Sequence, residues 1–329
     1  MKIAIIGATG LVGQTMVRVL EEKNFSIKEF LPAASPRSRG KEVKFKGIGY
    51  RVMGLDEILS RRPDIVLMSA GSAVSLEWAP RFASFGITVI DNSSAWRMDK
   101  TKKLIIPEIN GILLKKTDKI IANPNCSTIQ MLMVLAPLHK KYKVERVIIS
   151  TYQSVTGTGM RAVEQLMNER KGIDHFKVYP YQIDLNVIPQ IGPFYENGFC
   201  EEEMKLVNET VKILRTDKIK INATTVRIPT IGGHGQSLNV KLHREYRIDE
   251  IRKHLAISPG LAVEDDITNM KYPMPVLAHG KDTVFVGRIR QDETQSKSIN
   301  LFTCTDNLRK GSATNAIQIA EYMLKNKLM

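Results

Sequence analysis

Two residues far apart in the chain have the types needed for covalent chemistry at a carbonyl. Cys126, in Asn123-Pro-Asn-Cys126-Ser-Thr-Ile-Gln130, stands directly before Ser127 to Tyr142, a run with the pattern of a long amphipathic helix. The unpaired N–H groups and dipole at a helix start favour a thiolate over a thiol, and the thiolate is the nucleophile. A lone cysteine is more often an inert core residue, so the position needs a partner. His234, in Arg227-Ile-Pro-Thr-Ile-Gly-Gly-His234-Gly, offers an acid or base in a glycine-flanked turn where backbone can crowd a ligand.

A second group of residues suits a dinucleotide. Gly7-Ala-Thr-Gly10-Leu-Val-Gly13 follows an apolar strand-like run and opens a helical one. Its glycines allow a tight turn and close approach of backbone to a pyrophosphate, with Thr9, Gly10, Leu11 and Val12 lining the helix start. An NAD enzyme places Asp or Glu after the second strand to hold the ribose 2′-hydroxyl, but here the chain reads Ala34-Ser35-Pro-Arg37-Ser38-Arg39. The fork of Arg37 and the hydroxyls of Ser35 and Ser38 suit a 2′-phosphate, so the expected cofactor is NADP.

The elements that must position these residues fall into two textures. Runs at Ile3 to Ile6, Phe30 to Ala34, Ile65 to Ser69, Thr88 to Ile90 and Ile120 to Ala122 alternate with helical segments such as Gln14 to Glu22. That alternation predicts a doubly wound parallel α/β sheet over the first 125 residues. After Cys126, strand-like runs at Val144 to Tyr152, Thr224 to Pro229, Ser237 to Leu242 and Val284 to Arg290 follow without regular helices between them. A mostly antiparallel second domain is expected. The final helical stretch, Lys310 to Lys327, should pack back on the first domain, giving a cofactor domain of 1–125 plus 307–329 and a catalytic domain of 126–306.

Composition removes other classes. At 329 residues and 43% hydrophobic, the chain has room for two domains of roughly 150 residues each. Charge, Gly or Ser interrupts every apolar run well short of the roughly 18 residues a membrane span needs, so no membrane association is expected. The start lacks the features of a secretory leader, and three cysteines without metal-ligand spacing argue against a disulfide framework or zinc site; a cytoplasmic protein without metal is expected. The net charge of +14 raises nucleic acid as a ligand. The basic residues are scattered through most segments, without interleaved aromatics, and predict a basic solvated surface that steers anionic substrates rather than nucleic-acid binding.

Collectively, Asn123 to Gln130, Ser150 to Gly159, Arg227 to His234 and Asp306 to Gln318 resemble, in that order, the bacterial aspartate-β-semialdehyde dehydrogenases. The resemblance spans nearly the whole chain. It implies a second domain of the glyceraldehyde-phosphate-dehydrogenase-like α+β type. It implies NADPH-dependent reductive dephosphorylation of L-aspartyl-4-phosphate to L-aspartate-4-semialdehyde, serving lysine and diaminopimelate, threonine, methionine and isoleucine biosynthesis. Cys126 would form the acyl-enzyme, His234 act as acid and base, and Gln153 orient the substrate. Arg227 would grip the α-carboxylate, Glu202 and Lys205 the amine and phosphate, and Arg97 the phosphate. Thr156, Gly157 and Asn307 would join the cofactor residues, and the assembly would be a homodimer or homotetramer. Two positions depart from the family pattern: Gly235 stands where serine is usual, and Lys241 where many members have glutamate. The competing readings are a related reductase of N-acetyl-glutamyl-phosphate or malonyl-CoA type, or a non-catalytic dinucleotide-binding regulator.

Overall fold

The computed structural model describes every residue except Asn24 and His175. Its contacts divide it into two compact units, Met1–Asn125 with Ser312–Met329, and Cys126–Gly311. In chain order the first unit runs β1 (Lys2–Ile6), α1 (Leu11–Glu22), β2 (Glu29–Ala33), β3 (Glu42–Phe45), β4 (Ile48–Arg51), α2 (Leu55–Arg61), β5 (Ile65–Met68), α3 (Ser72–Ser84), β6 (Thr88–Asp91), β7 (Lys103–Leu104), α4 (Pro107–Asn110) and β8 (Ile120–Ala122). The second runs α5 (Cys126–Tyr142), β9 (Val144–Ser154), α6 (Met160–Arg170), α7 (Glu201–Leu214), β10 (Lys220–Ile228), β11 (His234–Leu242), α8 (Ile248–Ala256), β12 (Leu261–Val263), α9 (Pro275–Ala278), β13 (Val284–Gln291) and β14 (Ser298–Thr305). After a π-helical turn at Arg309–Ala313, α10 (Thr314–Lys325) belongs to the first unit.

The first unit holds a six-stranded sheet in the order β2-β1-β5-β6-β8-β7, with every neighbouring pair parallel. Both faces are covered because strand residues alternate sides. In β1, Ile3 and Ile5 join a core with Met16, Val17 and Leu20 of α1 and Ala316, Ile317 and Ala320 of α10. Ala4 and Ile6 point the other way, into a core with Ile58 of α2 and Trp78, Ala79 and Phe82 of α3. The chain leaves β1 where strand order reverses, between β2 and β5, which is where open α/β sheets leave a ligand crevice.

The second unit is also built on six strands, in the order β10-β9-β11-β14-β13-β12. It is mixed: β9 with β10 and β12 with β13 run parallel, while β9–β11, β11–β14 and β13–β14 are antiparallel. The expectation of no regular helices between these strands is corrected, since α6, α7 and α8 intervene. Their patterns are easily passed over: α7 opens on three consecutive glutamates, and α8 buries only Ile251 and Leu255. The parallel β9–β10 pair requires such a crossover, because parallel neighbours cannot be joined by a tight hairpin. α5 is buried along most of its length, from Ser127 to Leu135, and packs on β9, β11, β13 and β14.

Candidate active site

The second unit's sheet places three of the expected residues side by side. On β9, Gln153 pairs in register with Arg227 on β10 and with His234 on β11. Paired residues on neighbouring strands project from the same face, so Arg227, Gln153 and His234 form a row, and all three are buried. Cys126 joins this row. Its Sγ lies 3.5 Å from His234 Nε2, and it occupies the first position of α5, where the helix start favours negative charge on sulfur. The other two cysteines are fully buried, and burial pushes the Cys304 thiol far up. Of the three, only Cys126 is accessible.

The hydrogen bonds around His234 fix its tautomer. The Ser154 backbone N–H donates to Nδ1 at 3.1 Å, so that nitrogen carries a lone pair and the ring proton of the neutral form sits on Nε2, facing sulfur. Burial first, then the Arg227 charge, hold the His234 pKa down to about 3. The ring is therefore neutral at physiological pH and presents an N–H to Cys126. Behind it, Gln130 on α5 donates to the His234 carbonyl at 3.3 Å and to Thr303 Oγ1 at 2.9 Å. Gln236 donates to the Ser127 carbonyl at 2.8 Å, so two hydrogen bonds tie α5 to β11 beside the reacting pair.

This tautomer has two expected consequences. His234→Ala should lower turnover about 10²- to 10³-fold, the size of losing one preorganised donor, while His234→Gln, which keeps an amide N–H, should recover at least about tenfold of that loss. Equal defects in both variants would instead require proton transfer through the ring. The depressed pKa also has a sign. The unfolded state takes up the His234 proton below about 6.5 and the folded state only near 3, so stability is lost as pH falls through that window. Urea unfolding from pH 7.5 to 4.5 should show the wild type losing more stability than His234→Gln, and parallel curves would remove the assignment.

Arg227 is buried and only partly compensated. One guanidinium NH2 group (Nη1) donates to the Ser154 carbonyl at 2.6 Å, while Nε is buried without a partner. Among the described residues no carboxylate lies within the 4.0 Å of an ion pair. A buried cation with unused donors is costly unless a ligand completes it, and a planar carboxylate fits its fork. Gly157 marks the space beside it. A Cβ there would stand 3.0 Å from Arg227 Nη1 and 3.4 Å from His234 Nε2. Gly311 is equally confined, since an added Cβ would come 2.9 Å from the Cys126 Cβ.

Other expected residues are joined in smaller groups. Thr156 donates to Asn307 Oδ1 at 3.0 Å, and both side chains are buried. Near the start of α7, Lys205 lies one turn on from Glu202 and pairs with it at 3.5 Å, with Lys205 also 3.2 Å from Glu201. In the first unit, Arg97 is buried and donates to the carbonyls of Asn123 at 3.0 Å and Asn92 at 2.7 Å. Gly235 lies under an aromatic ring, and a Cβ there would meet the tip of Phe302 at 2.9 Å, so a larger residue would require that ring to shift.

The first unit's glycine loop fits a phosphate. Gly7 has φ of +88°, and a Cβ would lie 2.2 Å from the Ser69 carbonyl at the end of β5, so only glycine permits this turn at the switch point. Gly10 caps α1 without a side chain, and no acidic residue stands in that helix's first turn, leaving its N–H groups open to an anion. The Thr9 hydroxyl reaches Ser38 Oγ at 3.4 Å, bringing this loop against the Ser35–Ser38 turn, where Arg37 is exposed.

Comparison with known proteins agrees with this architecture. The NAD-binding domain of semialdehyde dehydrogenases matches residues 2–117, and their dimerisation domain matches residues 135–310. The chain is 46% identical to the aspartate-semialdehyde dehydrogenase of Aquifex aeolicus, over 100% of this chain and 99% of that protein. The chain belongs to the aspartate-semialdehyde dehydrogenase family. It is 43% identical to the Legionella pneumophila member, covering 100% of this chain and 97% of that one. The fold superposes on aspartate semialdehyde dehydrogenase II of Vibrio cholerae with a TM-score of 0.94 at 40% identity, covering 99% and 98% of the two chains. A second structure of that protein, complexed with ASA, gives the same values. As a family member, this chain is an oxidoreductase acting on an aldehyde, with an NAD(P)-binding domain.

Sequence reasoning passed over Ser154, Gln130 and Gly311. Ser154 shows no distinguishing residue type, since its backbone N–H rather than its hydroxyl sets the histidine tautomer. Gln130 lies inside the cysteine segment, but its partners are 104 and 173 positions away. Among the described residues, no group of three or more His, Cys, Asp or Glu is placed to hold a metal, and no helix is long and apolar enough to cross a membrane.

Proposed function

We propose that this chain is an NADP-dependent aspartate-semialdehyde dehydrogenase that works through a thioester on Cys126. The carrying observation is the 3.5 Å approach of Cys126 Sγ to His234 Nε2 beside a buried arginine without an ion-pair partner. An amino-acid head group supplies a carboxylate for Arg227. N-acetyl-glutamyl phosphate and malonyl-CoA carry a carboxylate too, and what favours aspartyl phosphate over them is its free ammonium, which the buried Glu202 carboxylate suits. A regulator without catalysis has no use for an accessible thiol facing an imidazole N–H.

In the biosynthetic direction the Cys126 thiolate attacks the acyl carbon of L-aspartyl-4-phosphate. The C–S bond forms, the C–O bond to phosphate breaks, and phosphate leaves with the electron pair. Arg97 and Lys205 are the proposed contacts of that phosphate, Glu202 of the substrate amine, and Gln153 orients the acyl group. NADPH, when bound, supplies the hydride that reduces the thioester carbonyl. The His234 Nε2–H donates to the oxyanion that develops, and collapse of that oxyanion returns the thiolate and releases the semialdehyde. The cofactor residues are Thr9, Gly10, Leu11, Val12, Ser35, Arg37 and Ser38 of the first unit, with Thr156, Gly157 and Asn307 of the second. We further propose a cytoplasmic homodimer formed through the domain spanning 135–310, with residues 1–125 and 307–329 holding cofactor and 126–306 performing chemistry.

Phosphate-dependent reduction of NADP with aspartate semialdehyde tests this reading. Turnover should greatly exceed that with propionaldehyde, and comparable rates would refute the substrate assignment. Arg37→Ala should weaken NADP binding by about 10- to 150-fold, the loss of one charge-assisted contact of roughly 1.5 to 3 kcal/mol, and leave NAD affinity nearly unchanged. Titration with both cofactors checks this, since equal losses would place Arg37 away from the 2′-phosphate.

A further inference from the structure

At the end of the second unit's sheet far from His234, the strand register lines up three cations. Arg146 on β9 pairs with Lys220 on β10 and with Lys241 on β11. Residues directly opposite on adjacent strands have Cβ atoms about 4.5 to 5.5 Å apart, and like charges so placed repel. The row faces a cavity of about 780 Å³ that is also lined by Lys143, Lys218, His139 and His243. Among the described residues, none of the five Lys and Arg side chains has a carboxylate within ion-pair distance. The only lining carboxylate, Glu145, is engaged by His243 Nδ1 at 2.7 Å. His139 accepts the Val144 N–H at Nδ1, at 3.1 Å, so its neutral ring adds a donor at Nε2. Lys143 extends the cluster from a left-handed backbone position, φ +60°, where a side chain costs conformational energy that glycine would avoid.

Five clustered Lys and Arg side chains against a single lining carboxylate leave a net positive basin, a site for a multivalent anion. The five are carried by separate segments: the link between α5 and β9, the starts of β9 and β10, the approach to β10 and the end of β11. Their charge therefore converges on one volume rather than spreading over a face. That volume lies within the range of small-molecule pockets, and the fork of Arg146 with flanking ammonium groups matches tetrahedral phosphate oxygens. We propose that this basin binds a compact small molecule carrying two or more phosphate charges, at a site separate from the reaction centre. Arg146 and Gln153 are seven positions apart on β9, about 23 Å along an extended strand.

The test uses pyrophosphate as the probe and the full chain with saturating NADP, so that the glycine loop is filled. Calorimetry at low ionic strength should show pyrophosphate binding that weakens at least tenfold in Arg146→Gln/Lys241→Gln. In the absence of pyrophosphate, kcat and KM of that variant should match the wild type. Lys241→Glu gives an independent reading. It replaces a repelling neighbour of Arg146 by an attracting one, so the melting temperature without anion should rise while the pyrophosphate-induced upshift shrinks. Failure of the wild type to bind the probe would overturn the proposal, as when carboxylates of a second copy of the chain fill the basin. Undiminished binding by both variants would overturn it equally, placing the probe at the reaction centre's own phosphate contacts.

Discussion

Cys126→Ala is expected to abolish aldehyde oxidation and acyl-phosphate reduction, with turnover at least about 10⁴-fold below wild type, because the covalent route is lost with the nucleophile. No other thiol can replace it. Cys200 and Cys304 are fully buried, Cys200 lies 3.1 Å from the Thr225 hydroxyl, and burial disfavours the Cys304 thiolate. The deletion should leave the fold intact, since Cys126 opens α5 rather than filling its core, and Gly311 remains against the alanine methyl as it was against the cysteine Cβ. Cofactor titration and circular dichroism should therefore match wild type while activity vanishes. Activity within tenfold of wild type would exclude the thioester. So would a wild-type enzyme that resists stoichiometric thiol alkylation, because the sulfur beside His234 must be open to an electrophile.

Arg227→Lys should also be damaging for the amino-acid substrate despite conserving charge. Arg227 already gives Nη1 to the Ser154 carbonyl and keeps Nε unpartnered, so it can hold the strand and still fork onto a carboxylate. Lysine has one ammonium for both tasks and no planar fork. Because the head group is remote from the reacting carbonyl, its binding energy is what holds that carbon against sulfur. Displacement should thus cut kcat as well as raise KM, lowering kcat/KM for aspartate semialdehyde about 10²-fold. Propionaldehyde, without a head group, should lose little. Measuring both substrates with the melting temperature separates the roles. A folded Arg227→Lys protein that keeps its preference for the amino-acid aldehyde would remove Arg227 from substrate recognition, and a collapse in melting temperature with unchanged preference would make it structural.

The sequence by itself determined the parts that depend on local order. The glycine loop after β1, the cysteine at a helix start and the strand alternation of the first unit are written in contiguous residues, where period and residue type report directly on backbone geometry. The first parallel sheet was legible for the same reason: strands covered on both faces read as short continuous apolar runs. The second unit was less legible. Its helices carry narrow apolar stripes among charges, and β14, Ser-Ile-Asn-Leu-Phe-Thr-Cys-Thr, shows too little alternation to stand out.

What tertiary structure alone decided is register and its consequences. Pairing of β10, β9 and β11 sets Arg227, Gln153 and His234 in one row and leaves Arg227 buried without a carboxylate, a relation between residues up to 81 positions apart. The neutral Nε2–H form of His234 follows from one backbone N–H that no residue type announces. The same register turned basic residues that look scattered along the chain into a row of three cations at the opposite end of the sheet. Chain order carries charge and hydropathy, but which charges face one another depends on strand pairing, and a slip of one residue would send every side chain of the strand to the other face.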